Sequence, residues 1–265
     1  MNVYTIIFNN VSFLELQYLS FKKHCPLQSF TVIDNTNDAT TRSGIAQFAA
    51  KYSCTVVPTT NPRFDFGGFS HQQAIQTALD NSKDTSIICD PDVFLLKPLE
   101  LVNDFVLAGL MQGTEKIHYL WPGFLIINTT LLKDKLDLRG ALINPSNLDD
   151  FIIPDPSQGW TWEQHPEQTK TRISTDSGGL LCRYIRDYSP KIHEFSLAFV
   201  EDLGYDSIIP GHLRGRYKEW FHYWVIGGRI LHSGVSSNWI GRSQSEFEEK
   251  EALTKEIVEW VLKEA

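Results

Sequence analysis

Two carboxylates stand one residue apart at the end of an apolar run, in residues 86–94, SIICDPDVF. Carboxylates are rarely buried without a partner, and two at the mouth of a buried strand repel each other. Mg²⁺ and Mn²⁺ bind carboxylate oxygens together with phosphate oxygens of a substrate. Asp90 and Asp92 therefore predict a metal and diphosphate site. The alternative is a plain turn, because Asp bonds to its local backbone and Pro presets φ.

The first hundred residues alternate between strand and helix patterns. Apolar runs predict strands at 3–8, 30–34, 54–57 and 86–89, and helical spacing predicts helices at 13–24, 43–52 and 70–81. Such alternation predicts an α/β fold, with a parallel sheet and helices on both faces. Ligands of these sheets bind outside the carboxyl ends of the strands.

Polar residues follow each of the four predicted strands. They are Asn9 and Asn10, Asp34 and Asn35, Asn61 and Arg63, and Asp90 and Asp92. Asn and Asp also end strands for purely structural reasons, but four such ends at one edge favour a nucleotide crevice. Gly67 and Gly68 are predicted to end a loop before a helix, where glycine allows the backbone to approach a ligand closely. Gly68 is predicted to contact the nucleotide ligand.

Composition excludes several other classes of protein. The 265 residues carry a formal net charge of −8, and no long run of Lys or Arg is present, so nucleic acid is not expected as a partner. The four cysteines are scattered and predict neither a zinc site nor a disulfide scaffold. No secretory signal and no membrane-spanning run is apparent. A soluble, cytoplasmic protein is expected, and its oligomeric state stays open.

The order of these elements and the Asp-Pro-Asp motif resemble the GT-A fold glycosyltransferases that contain an Asp-x-Asp motif. This resemblance implies an α/β, Rossmann-like, mostly parallel central sheet flanked by helices, with a smaller second sheet and a C-terminal helix. It also implies that Mn²⁺ or Mg²⁺ binds Asp90 and Asp92 against the diphosphate of a nucleotide-sugar donor. By position, the resemblance assigns donor contacts to Asn9, Asp34, Asn35, Arg63 and Asp90.

Two later segments are similar to further parts of the same family. Residues 121–128, WPGFLIIN, resemble its second core strand, and residues 229–239, RILHSGVSSNW, resemble a late segment with a histidine. The resemblance implies that His232 completes the coordination of the metal. The alternative is a structural role, since the chain has eight histidines.

Catalysis by inversion needs a carboxylate base for the acceptor hydroxyl, whereas retention does not. Asp176, before a predicted apolar helix, is the first candidate, although it also suits helix capping. Glu163 is the second. Trp121, Trp162 and Trp239 are predicted to stack on an acceptor sugar, against the alternative that they belong to the core.

The sequence thus predicts a metal-dependent hexosyl- or pentosyltransferase that uses a nucleotide sugar, with UDP or GDP as the expected nucleotide, and a glycan or other hydroxyl acceptor. The alternatives are a nucleotidyltransferase that makes sugar nucleotides and a noncatalytic carbohydrate-binding protein of the same fold. Residues 1–98 are predicted to form a donor-binding half, residues 99–243 an acceptor-binding and catalytic half, and residues 244–265 an amphipathic helix.

Overall fold

The computed structural model describes most of the chain, namely residues 1–59, 67–101, 104–114, 117–142, 144, 146–152, 177–200, 210–218, 221–234 and 243–264. Within these ranges the strands are β1 (Asn2–Ile7), β2 (Ser29–Asp34), β3 (Thr55–Pro58), β4 (Thr85–Cys89), β5 (Val93–Leu95), β6 (Leu107–Thr114), β7 (Ile117–Asn128), β8 (Ala141–Leu142), β9 (Phe151–Ile152), β10 (Ile192–Phe195), β11 (Leu197–Phe199), β12 (Trp224–Ile226) and β13 (Ile230–His232). The α-helices are α1 (Leu14–His24), α2 (Ala39–Tyr52), α3 (Gly67–Asn81), α4 (Leu181–Tyr188) and α5 (Gln244–Glu264). Short 3₁₀ helices cover Thr129–Leu131 and Gly211–Arg216.

A seven-stranded sheet forms the centre of the protein, in the order β10-β6-β7-β4-β1-β2-β3. Strands β1 to β4 run parallel to one another, and β10 runs parallel to β6. Of the strands in this sheet, β7 runs in the opposite direction, pairing antiparallel with both β4 and β6. The sheet is therefore mostly parallel, and the carboxyl ends of β1 to β4 lie side by side.

Alternate side chains of the sheet enter two separate cores, because successive residues of a strand point to opposite faces. On one face, Val3 and Ile7 belong to a buried cluster with Phe21 of α1 and with residues of α2. On the other face, Tyr4 belongs to a cluster with Ile75 of α3 and with residues of α4. Helices thus cover both faces, as the strand and helix alternation predicts.

A second, four-stranded antiparallel sheet has the order β11-β12-β13-β5. Phe94 and Leu231 of this sheet share a buried cluster with Leu253 and Ile257 of the C-terminal helix α5. Since β4 belongs to the first sheet and β5 to the second, residues 90–92 connect the two sheets. The Asp-Pro-Asp motif therefore lies at the junction of the two layers.

The predicted fold class is confirmed: a mostly parallel sheet flanked by helices, a smaller second sheet and a C-terminal helix. Differences from the sequence prediction lie at the ends of elements. Helix α2 begins at Ala39 rather than near Ser43, because the side chain of Asp38 accepts a hydrogen bond of 2.6 Å from the backbone N of Thr41. Such an N-cap satisfies a backbone donor of the first turn that has no partner within the helix.

The prediction that Gly67 and Gly68 lie in a loop was wrong, because α3 begins at Gly67. Glycine can adopt helical backbone angles at a cost of only about 0.5–1 kcal/mol relative to alanine, so its presence does not exclude the start of a helix.

The predicted division at residue 98 stays a prediction. It would cut the second sheet between β5, in the first half, and β11 to β13, in the second half. None of the helices in the described ranges is long and apolar enough to cross a membrane. All four cysteines are free thiols, so the chain has no internal disulfide.

Candidate metal and donor site

Residues 90–93, between β4 and β5, form a tight turn. The backbone N of Val93 donates to the backbone O of Asp90 at 3.4 Å, and Pro91 occupies the second position of the turn, which suits its fixed φ. The backbone N of Asp90 donates to the O of Gly123 at 3.0 Å and so attaches the turn to β7. The turn that the sequence analysis gave as the alternative to a metal site is thus present. It also holds the carboxylates of Asp90 and Asp92 near each other.

Helix α1 fixes this turn through Gln17, which is fully buried. The side-chain Nε2 of Gln17 donates to the backbone O of Asp90 at 2.6 Å and to the backbone O of Val93 at 3.0 Å. One side chain therefore satisfies a carbonyl at each end of the turn. Because α1 packs against the sheet through Leu14 and Phe21, the position of the turn is tied to the main core.

The second sheet brings His232 to the turn. His232 ends β13 and is paired with Val93, the first residue of β5. The next residue, Ser233, donates from its backbone N to the backbone O of Asp92 at 3.0 Å and from its Oγ to Asp92 Oδ2 at 3.3 Å. Strand pairing thus places a residue 140 positions later in the chain beside Asp92.

Asp90, Asp92 and His232 form a cluster that could hold a metal ion. Their ligand atoms all lie within 4.8 Å of one another. Asp92 is fully buried, the His232 side chain is 8% exposed and that of Asp90 is 18% exposed, so the cluster opens to solvent on the Asp90 side.

The chemistry of this cluster fits a divalent cation. Nε2 of His232 lies 3.6 Å from Asp92 Oδ2, and among the described residues it has no hydrogen-bond partner. A buried polar nitrogen without a partner is costly, and a bound cation would satisfy it. Two carboxylates and an imidazole are ligands that Mn²⁺ accepts, and the carboxylates also suit Mg²⁺.

The charge state of the cluster follows from its surroundings. Burial raises the pKa of Asp90, but the charge and hydrogen bond of His71 and the charge of His232 lower it more, so this pKa lies below the usual carboxyl value. Asp90 is therefore ionised at neutral pH. Burial raises the pKa of the neighbouring Cys89 thiol well above its usual value, and the charges of Asp90 and Asp92 add to this effect. Cys89 stays a neutral thiol, which is not the form that binds metals.

The predicted donor residues Asp34 and Asn35 are buried and engaged with other protein groups. Asp34 Oδ2 lies 3.2 Å from Nε of Arg42, and Oδ1 accepts from the backbone N of Thr36 at 3.1 Å. The amide of Asn35 donates to Oγ of Ser70 at 2.9 Å, which joins the end of β2 to α3.

Asn9, at the end of β1, is exposed, and its Oδ1 accepts from Oγ1 of Thr36 at 2.7 Å. Asn9, Asp34 and Asn35 thus lie at the ends of adjacent strands, while Gly68 lies in the first turn of α3. The role of each in donor binding stays a prediction. Arg63, predicted as a further donor contact, lies outside the described residues.

Trp121, predicted to contact the acceptor, packs behind the metal cluster. It is 6% exposed, and its ring centroid lies 4.6 Å from that of His232 and 5.3 Å from that of Trp224. This contact supports the imidazole and leaves little of the indole surface exposed. Contact with an acceptor stays a prediction for Trp121, and the other predicted residues, Trp162, Trp239, Asp176 and Glu163, lie outside the described residues.

No known protein-family model matches the chain, and no curated protein matches it in sequence. Solved structures that it is similar to are glycosyltransferases. The mannosyltransferase PcManGT from Pyrobaculum calidifontis, solved in complex with GDP-Man and Mn²⁺, matches with 15% identity and a TM-score of 0.37 over 50% of this chain and 45% of that one. The glycosyltransferase GlyE of Streptococcus pneumoniae matches with 12% identity and a TM-score of 0.42 over 98% of this chain and 64% of that one. Mouse xyloside xylosyltransferase 1, in its apo form, matches with 8% identity and a TM-score of 0.39 over 73% of this chain and 85% of that one.

The fold is of the GT-A type. Its own topology carries this assignment: the order of β1 to β4 with their helices, Asp90 and Asp92 directly after β4, the antiparallel β7 beyond them, and a late histidine beside the two carboxylates. The chain spans less than two thirds of the length of PcManGT and of GlyE.

The sequence analysis missed two residues of the site, Gln17 and His71. Gln17 lies on the buried face of α1, at helical spacing from Leu14 and Phe21, where a polar side chain signals a buried hydrogen bond. His71 lies near the start of α3, and its Nε2 is 2.9 Å from Oδ1 of Asp90. The signal for His71 was its position at the beginning of a helix that follows the third strand, since that end of the helix faces the ligand edge of the sheet.

We expect Gln17→Leu to lower the free energy of unfolding by about 1–3 kcal/mol, because two backbone carbonyls of the turn lose a buried donor. Oε1 of Gln17 has no hydrogen-bond partner among the described residues, so losing it offsets part of this cost. Urea denaturation measures the change. Gln47→Leu, at an exposed position of α2, is the matched control and should have little effect. Equal stability of the two variants would contradict the role given to Gln17.

Proposed function

We propose that the protein is a metal-dependent glycosyltransferase, a hexosyl- or pentosyltransferase that moves a sugar from a nucleotide-diphosphate sugar to a glycan or other hydroxyl acceptor. The observation that carries this proposal is the convergence of Asp90, Asp92 and His232, with ligand atoms within 4.8 Å of one another, at the carboxyl ends of the parallel strands. Ligands of open α/β sheets bind at this edge.

The three residues of the cluster would hold Mn²⁺ or Mg²⁺. When bound, the ion would neutralise the negative charge that develops on the departing nucleoside diphosphate. Asp90, whose pKa is lowered, supplies a permanent negative charge on the solvent side of the cluster. Asp92, which is fully buried and accepts a hydrogen bond from the Oγ of Ser233, would supply a carboxylate oxygen on the inner side. His232 would contribute an imidazole nitrogen, and the packing of Trp121 holds its ring in place.

The nucleoside of the donor would bind beside this cluster, over the ends of β1 and β2. Asn9 is an exposed polar residue at this edge, and Asp34 and Asn35 are buried beside it. We propose that these residues and the backbone at Gly68 contact the base and ribose of a UDP- or GDP-sugar. Arg63 is proposed as a further contact on the sequence pattern alone.

The proposed base, Asp176, directly precedes a described segment that packs beside the site. Gly178 has a φ of +80°, and a Cβ built on it would lie 3.1 Å from the Cβ of Pro122. Pro122 stands between Trp121, which packs on His232, and Gly123, whose carbonyl binds Asp90. This neighbourhood supports Asp176 as the general base or a contact to sugar hydroxyls, and Glu163 is the second proposed carboxylate.

The acceptor would bind on the side of the proposed catalytic half, with Trp121, Trp162 and Trp239 as proposed stacking residues. Flat rings with polar edges bind the apolar faces of sugars while leaving their hydroxyls free to form hydrogen bonds. The cytoplasmic location expected from the sequence stays a prediction.

The proposal is tested by thermal unfolding with a panel of UDP-, GDP- and other nucleotide sugars, each with and without Mn²⁺. One nucleotide is expected to stabilise the protein by about 2.7 kcal/mol at a hundred times its dissociation constant, and only with the metal. Absence of any metal-dependent stabilisation would contradict the donor site. Sugar transfer or donor hydrolysis in the same mixture then separates an enzyme from a carbohydrate-binding protein, and turnover of a nucleoside triphosphate with a sugar 1-phosphate would indicate a nucleotidyltransferase.

A further inference from the structure

His71 contacts the metal cluster from a third direction. It lies on α3, and its Nε2 is 2.9 Å from Oδ1 of Asp90, within ion-pair distance. The cluster itself receives Asp90 and Asp92 from the turn between the two sheets and His232 from the second sheet. His71 instead comes from a helix that packs on the main sheet, so it connects the site to a different layer of the fold.

Helix α3 holds His71 rigidly. Ala74, Ile75 and Ala78, one turn and two turns after His71, are fully buried in the core on that face of the sheet. The side chain of His71 is 25% exposed and that of its partner Asp90 is 18% exposed, so the contact is partly shielded from water. A contact anchored in this way restricts the rotation of the Asp90 carboxylate.

His71 is not one of the three residues whose ligand atoms lie within 4.8 Å of one another. A carboxylate has two oxygens, and the contact with His71 engages Oδ1 of Asp90. Oδ2 is then the oxygen of Asp90 that the contact with His71 does not engage. A donor that occupies one oxygen of a metal-binding carboxylate orients the other toward the ion.

We infer that His71 is a positioning residue of the metal site: it binds one oxygen of Asp90, presents the other to the cation, and thereby sets the metal affinity without being a ligand. This inference rests on the proposed function, since it requires that Asp90 binds a metal. It goes beyond that proposal by assigning part of the metal affinity to α3. Loss of such an outer partner of a metal ligand typically lowers metal affinity about 10- to 100-fold.

The inference is tested by titrating the full chain with Mn²⁺ alone and measuring free Mn²⁺ by electron paramagnetic resonance. We expect His71→Ala to raise the Mn²⁺ dissociation constant about 10- to 100-fold. His71→Gln should restore most of the affinity, because its side-chain amide can donate to Asp90 from nearly the same place. His193→Ala, on the edge strand β10, is the matched control and should bind Mn²⁺ like the unchanged chain. Circular dichroism checks that each variant is folded.

The outcomes separate this inference from the proposed function. If the unchanged chain binds no Mn²⁺, both are wrong. If the unchanged chain and His71→Ala bind Mn²⁺ equally well, only the role of His71 is wrong. A weakened His71→Gln, equal to His71→Ala, would indicate that the imidazole is itself a ligand and would also overturn the inference.

Discussion

Replacing Asp92 with asparagine is expected to lower turnover by about 10³-fold or more, because a metal ion supplies several kcal/mol of transition-state stabilisation. The same substitution should abolish the stabilisation by Mn²⁺ in thermal unfolding. Asp92 is the fully buried carboxylate of the cluster, and its charge, rather than its shape, is what a cation requires. Transfer assays and melting curves with and without Mn²⁺ measure the two effects.

Without a bound metal, Asp92→Asn is not expected to lower the stability of the protein. A buried carboxylate close to the ionised Asp90 is unfavourable when no cation is bound. Asparagine has nearly the same shape, and its carbonyl oxygen can still accept the hydrogen bond from Ser233 Oγ. We therefore expect the melting temperature of the metal-free protein to be unchanged or higher.

Asp187→Asn is the matched control, since that carboxylate is 43% exposed and forms a surface ion pair with Arg186. Such pairs contribute about 0–1 kcal/mol, so turnover and the effect of Mn²⁺ should be retained. Full activity of Asp92→Asn would exclude the proposed metal mechanism. A large drop in the stability of metal-free Asp92→Asn would show that this carboxylate has a structural role instead.

Gly123→Ala is expected to lower the free energy of unfolding by about 3 kcal/mol, at the upper end of the usual cost of overpacking a core. A Cβ at this position would lie 2.0 Å from one carbon of the Trp121 ring and 2.4 Å from another. Trp121 is 6% exposed, so the ring cannot move aside without disturbing its neighbours. Since that ring packs on His232, affinity for Mn²⁺ should fall as well.

The control for this variant is Gly215→Ala, where no atom lies within 4 Å of the added Cβ. Its stability should stay close to that of the unchanged chain in urea denaturation. If the clash with Trp121 is the cause, Gly123→Ala combined with Trp121→Leu should be more stable than the sum of the two single effects predicts. Strict additivity, or equal stability of Gly123→Ala and Gly215→Ala, would contradict this account.

Much of the first half of the fold could be predicted from the sequence, because its strands and helices have clear local patterns. The predicted strand at 30–34 and helix at 13–24 differ from β2 and α1 by one residue at one end. Local patterns are less informative where the same residue type can either cap a helix or form an ion pair. Asp38 caps α2, whereas Asp34, the last residue of β2, pairs with Arg42, although both are acidic residues and lie four positions apart.

The sequence by itself determined the class of site: two carboxylates directly after a buried strand, at the edge where parallel sheets bind their ligands. His232 was expected only from the family resemblance, and the tertiary structure decided how distant residues complete the site. The pairing of β13 with β5 brings His232 to Asp92, the buried face of α1 presents Gln17 to the turn, and the packing of α3 places His71 on Asp90. These contacts join residues far apart in the chain, and they depend on how whole helices and strands pack, which no local spacing of residue types encodes.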